Sequence, residues 1–214
     1  MQPLKTFENL PKDKQQRITA VALREFGEKG YAGTSINTLV NRLGIAKGSI
    51  FQYFGDKQGL FMFVFQAAVE MAKDHLRTVR SQTEAAHFFT RLEATLQAGQ
   101  QILGRHPILY RLYLKVMFEE NIPFRNELLS SLRTTSIEYL RDLLRTARRR
   151  GEIRSDLDED SLCFVLDAVM DRFLQSQTVP HLDGGLGLYG CSSDTAAQWI
   201  ANLRRLLAEG MAPR

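Results

Sequence analysis

The sequence predicts an all-α protein of two parts: a small N-terminal three-helix domain ending in a helix-turn-helix, and a larger helical C-terminal domain, with about nine helices in all. Apolar residues recur at helical spacing along most of the 214 residues, and no convincing period-two strand pattern or internal repeat interrupts them. Three short helical patterns crowd into residues 17–57, and the positive charge of the chain is concentrated there. The predicted division is 1–57 for the first domain and 58–214 for the second.

In the first helix of the N-terminal part, Ile18, Val21, Ala22 and Phe26 share one face, and Gly30 is expected to stop it. Thr34 or Ser35 is placed to cap a second helix whose Ile36, Leu39, Val40 and Leu43 repeat the spacing. Gly44 supplies the left-handed residue that a tight helix-to-helix turn needs. The third helix begins near Ala46. Ile50, Phe51 and Phe54 are expected to pin it to the first two, leaving Lys47, Ser49, Gln52 and Tyr53 at its start and along its outside. Such groups bond to bases and phosphates. Residues 1–57 carry nine Lys or Arg against five Asp or Glu, whereas residues 58–214 are neutral. The whole net charge of +4 therefore lies in the segment expected to meet phosphate.

These residues resemble the N-terminal domain of the TetR family of bacterial one-component repressors. The resemblance rests on Phe26, Gly30 and Tyr31, then Thr34, Ser35 and Ile36, then Gly44 and Ile45, and finally Phe51, Tyr53, Phe54, Lys57 and Leu60. Two positions depart from the family pattern. Ala46 stands where a capping Ser or Thr is usual, and Phe51 replaces a Tyr whose hydroxyl contacts phosphate. Together with the outward polar groups, the resemblance marks Thr34, Ser35, Lys47, Gly48, Ser49, Gln52, Tyr53 and Lys57 as the expected contacts to a double-stranded DNA operator.

Beyond Lys57, a connecting helix is expected from about Gln58 to Arg80, and Thr83 or Glu84 is expected to start the next, with Phe88, Phe89, Leu92 and Leu96 on its apolar side. Gly104 and Pro107 break it. A shorter helix carries Ile108 to Phe118 and ends near the turn at Asn121–Phe124. A long one follows to Arg150, where Gly151 ends it behind three arginines that offset the helix C-terminus. The last two helices begin at Asp158 or Asp160 and near Asp194, and between them residues 179–193 are rich in glycine. That linker is expected to be a mobile connection or to close one end of a pocket.

The apolar bands of the last two helices are broad enough to face both a core and a partner. Leu162, Val165, Val169, Ile200, Leu203 and Leu207 are the expected homodimer interface, and the resemblance implies a four-helix bundle across a twofold axis. Two reading helices so related would span half-sites ~34 Å apart. Tyr110, Tyr113, Met117, Phe118, Phe164, Met170 and Phe173 are candidates to line a cavity for a small hydrophobic or aromatic effector, or are simply core.

Other chemistry finds no support. His75, His87, His106 and His181 lack metal-ligand spacing, and no nucleophile elbow, P-loop or dinucleotide fingerprint is present. No metal, cofactor or catalytic residue is expected. The N-terminal segment has no apolar h-region, no run is long enough for a membrane helix, and Cys163 and Cys191 suit a reducing cytoplasm as packed or idle thiols. The expected function is a ligand-responsive transcriptional regulator, most readily a repressor released from a palindromic operator. Its rival is an architectural DNA-binding protein with no effector, which the bulk of residues 58–214 argues against.

Overall fold

A computed structural model describes residues 5–213, and the described chain is helical with no strand. Ten helices follow in order: α1 (Lys5–Glu8), α2 (Lys12–Gly33), α3 (Ile36–Leu43), α4 (Lys47–Phe54), α5 (Lys57–Gln82), α6 (Phe88–Arg105), α7 (Pro107–Phe118), α8 (Arg125–Arg149), α9 (Glu159–Thr178) and α10 (Ser193–Met211). They form two compact units. Among the described residues, the first runs to Asp74 and takes in His106–Leu129, and the second comprises His75–Arg105 and the chain from Ser130 onward.

The first unit is built on α2. Its inner face, Ile18, Ala22 and Phe26, is fully buried, as the spacing predicts. Gly30 breaks the helical path, as expected, and the helix resumes beyond it. With φ 69° it makes a kink, after which one further turn runs to Gly33. The carboxylate of Glu119, at the end of α7, fills the place where a side chain at Gly30 would stand. Earlier in α2, a methyl group at Gly27 would lie 2.9 Å from the carbonyl oxygen of Ile108, so α7 approaches α2 closely enough to need glycine there. Phe61 from α5 meets Phe26 and Tyr31 edge-on at 4.9 and 5.4 Å, and Phe124 joins the same cluster.

In the second unit α6 packs against α9 and α10. Phe88, Phe89 and Leu92 of α6 bury with Leu140, Leu143 and Leu144 of α8 and Leu162 and Leu166 of α9. Leu96, Phe173, Leu188, Ala196 and Ile200 form a second cluster. Asp158 caps α9 by accepting the Ser161 N–H at 2.8 Å. The start of α6 differs from the expectation of Thr83 or Glu84. Residues 83–87 form turns, and the first helical N–H, of Phe88, is received by the Glu152 carboxylate at 2.8 Å. Arg150 holds the same turn through the carbonyls of Glu84 and Ala86.

The glycine-rich linker is folded. The Asp183 carboxylate accepts N–H bonds from Gly185, Leu188 and Tyr189, at 3.3, 3.0 and 3.2 Å, and Leu188 is buried in the second cluster. Gly184, Gly185, Gly187 and Gly190 all take positive φ, which explains the composition.

Candidate nucleic-acid interface

α3 and α4 are joined through Gly44, whose φ of 66° and ψ of 35° place it in the left-handed region. Its N–H donates to the Asn41 carbonyl at 3.3 Å, and the Ile45 N–H donates to that of Val40 at 3.2 Å, a Schellman end that turns the chain directly into α4. Leu39, Val40 and Leu43 of α3 and Ile50, Tyr53 and Phe54 of α4 face inward. Ala46 is the N-cap of α4 and makes no side-chain cap bond.

Burial divides the predicted contacts into two sets. Lys47, Gly48 and Gln52 are exposed and Ser49 is half-buried, on the side of α4 turned away from the core. Among the described residues no protein group bonds the side chains of Lys47, Ser49 or Gln52. Ser35, the exposed N-cap of α3, likewise makes no cap bond. These are donors and acceptors left to solvent or a ligand.

The other predicted contacts are committed internally. Thr34 is buried, and its hydroxyl lies 2.8 Å from the Gly30 carbonyl and 3.2 Å from that of Glu25. Tyr53 is only 8% exposed, with its ring against Phe7 at 6.0 Å. Lys57 lies over the Tyr31 ring at 4.7 Å, its Nζ 3.4 Å from the Ala32 carbonyl, and burial lowers its pKa. The cation thus meets the C-terminal end of α2.

Phe51 requires a correction. Expected to pin α4 to the core, it is 42% exposed. The helical period puts it four residues after Lys47 on the outer face, beside Gln52. α1, of four residues, is too short to show a periodicity in the sequence. Phe7 anchors α1 against Tyr53, Phe54 and Phe63, and the Thr6 hydroxyl donates to the Gln52 carbonyl at 2.5 Å, bracing α4 from behind. A buried Glu25 joins the helices from inside, ion-paired to Lys29 at 2.6 Å and to Arg42 of α3 at 2.8 Å.

Residues 18–62 match the family model of bacterial regulatory proteins of the tetR family. A solved TetR family transcriptional regulator from Chloroflexus aurantiacus J-10-FL superposes with a TM-score of 0.74 at 30% identity, covering 100% of both chains. The chain belongs to the TetR family. Among TetR-family relatives it is 29% identical over 163 residues to the HTH-type transcriptional repressor AcnR of Corynebacterium diphtheriae, spanning 75% of this chain and 79% of that one. A Saccharomonospora viridis protein solved in complex with choline shares the fold at 21% identity, with a TM-score of 0.70 over 95% of this chain and 100% of that one. Transcriptional regulation is what the family, the Chloroflexus aurantiacus protein and AcnR have in common. No described helix is long and apolar enough to cross a membrane.

The remaining predicted residues fall in both units. In the first, Tyr110 is buried with its ring 5.4 Å from that of Tyr113, Met117 is half-buried and Phe118 is exposed. In the second, Phe173 is buried and Met170 packs against the same cluster, but Phe164, taken from the sequence as a pocket residue, is 72% exposed. Of the expected interface, Leu162 and Ile200 are buried in the unit's own core, and Leu203 and Leu207 pack against it. Val169 is half-buried and Val165 exposed.

Proposed function

We propose that this TetR-family regulator is a homodimeric repressor that reads a palindromic operator with α4 and is released by a small molecule. The outward face of α4 carries the reading. Lys47, Ser49, Phe51 and Gln52 project from a helix braced by α1, α3 and α5, with no internal partner for the polar ends. A cation at the start of such a helix reaches phosphate or guanine, Gln pairs with adenine, and an exposed aromatic ring suits the methyl group of thymine. The AcnR relative, named a repressor, supports the direction of regulation. The choline-bound structure supports a small molecule as the signal.

Release requires a ligand that prefers the DNA-incompetent state, since equal affinity for both states shifts nothing. The chain has a route for that preference. α6 leads through His106 straight into α7, and α7 lies on α2 at Gly27 and Gly30. α7 packs along α2, the helix on which α3 is mounted. Cytoplasmic action follows from the DNA target.

Selection of preferred duplexes from a random pool tests the reading. Gln52→Ala is expected to relax the preferred motif at one position of each half-site while keeping general DNA affinity. A motif identical to that of the parent protein would remove Gln52 from base recognition.

A further inference from the structure

Arg91 stands in the middle of the second unit's core helix, α6, and is 5% exposed. Its Nε is fully enclosed, and among the described residues no carboxylate, carbonyl or hydroxyl of the protein meets its guanidinium. Two other arginines of the unit also enclose their Nε, but both are anchored through Nη2. Arg141 pairs with Asp160 at 2.6 Å and Arg148 donates to the Leu157 carbonyl at 2.5 Å. Two acids of the unit are engaged elsewhere. Glu93, on the same helix, pairs with Arg204 of α10 at 3.2 Å, and Glu152 receives the Phe88 N–H.

The surroundings have a definite chemistry. One turn along the same face, Thr95 is buried, and its hydroxyl donates to the Arg91 carbonyl at 2.8 Å and lies 3.0 Å from the Tyr139 hydroxyl of α8. The one Thr95 proton is spent on that carbonyl, so Tyr139 is the donor between the two hydroxyls. The rest of this part of α6 is apolar, with Phe88, Phe89 and Leu92 buried against Leu140, Leu143 and Leu144. Arginine cannot escape burial by losing its proton, as lysine can, so an arginine only 5% exposed whose Nε meets no acceptor is costly to keep. It is also the side chain whose planar fork best matches a carboxylate, through two parallel hydrogen bonds.

We propose that Arg91 receives the carboxylate of the effector, which is a monocarboxylic acid with an apolar body seated among the surrounding aliphatic and aromatic side chains. This rests on the effector-released repressor reading and specifies its ligand. One guanidinium balances one negative charge, and apolar neighbours favour a hydrocarbon body over a polyanion.

Octanoate, decanoate and phenylbutyrate, each compared with its own primary amide, test the assignment by thermal shift and calorimetric titration on the full chain. At least one acid is expected to bind about 10- to 100-fold more tightly than its amide, the ratio that a hydrogen bond to a charged group supplies. Arg91→Met is expected to erase that preference and to leave the melting temperature of the ligand-free protein unchanged or higher, because no internal partner is lost. Arg91→Lys, with the charge but not the fork, is expected to keep part of it. Acids binding no better than amides, a preference that survives in Arg91→Met, or a steep fall in the melting temperature of that variant would each overturn the proposal. DNA release is measured separately. Acids that bind through Arg91 without loosening the operator would leave Arg91 as their receptor and remove the release mechanism instead.

Discussion

Gly59 has no room for a side chain: an added Cβ would lie 1.9 Å from the Phe54 carbonyl oxygen. The first turn of α5 therefore sits on the carbonyl end of α4, and Asp56 secures it by accepting the Gly59 N–H at 2.7 Å. Gly59→Ala is expected to cost about 3 kcal/mol of unfolding free energy, as overpacking against backbone does, measured by denaturant titration. Gly48 gives the opposite expectation. Nothing lies within 4 Å of its Cβ position, so Gly48→Ala is expected to raise stability by up to about 1 kcal/mol through helix propensity. The same methyl group stands on the exposed face of α4, so DNA affinity is expected to fall while stability rises. Loss of stability in Gly48→Ala would show that the position is enclosed after all. Residue identity alone did not assign these roles. Phe51 looks like core by composition, and Thr34 looks like a cap or a contact, yet packing turned the first outward and the hydroxyl of the second inward.

Helix caps and the ordered linker belong to the scale of elements. Asp183 holds residues 185–189 by three N–H bonds, and these, the Tyr189 bond foremost, keep its carboxyl below the ordinary range. Asp158 is lowered in the same direction by the backbone bond from Ser161, then by the Ser161 hydroxyl. A group depressed in the folded state contributes stability that is fully present above its unfolded pKa, about 4, and is lost as pH falls through the lower folded value. Lowering the pH from neutral to about 3 is therefore expected to destabilise the parent protein more than Asp183→Asn, which has already lost the carboxylate. Thermal melts across that range check this, and parallel pH profiles for the two proteins would detach Asp183 from linker stability. Composition shows a glycine-rich linker, but the order comes from one carboxylate whose hydrogen bonds depend on the folded path.

At the scale of the molecule, the second unit leaves apolar side chains uncovered on its last two helices. Phe164 and Val165 of α9 are 72% and 43% exposed, and Leu206 of α10 is 61% exposed. A soluble monomer has little use for such a group, whereas a twofold partner would bury it. Phe164→Glu with Leu206→Glu is expected to give a folded monomer by sedimentation with operator binding lost, although the reading head is untouched. A stable dimer from that double variant would place the interface elsewhere. Charge at Leu203 is a poorer probe, because Leu203 packs against its own core and a charge there would unfold the unit.

The sequence by itself determined the helical class, the helix-turn-helix and the family, because these depend on local order: apolar residues three and four apart, a left-handed glycine at Gly44, and a charge surplus in one segment. It also marked the outer face of α4 through Lys47, Ser49 and Gln52. Only the tertiary structure decided which apolar residues face solvent, that α7 returns to lie on α2, and that Arg91 is enclosed without a counter-charge. A residue's burial and its partner depend on chain segments far away in sequence, and helical spacing carries no information about which distant segment arrives.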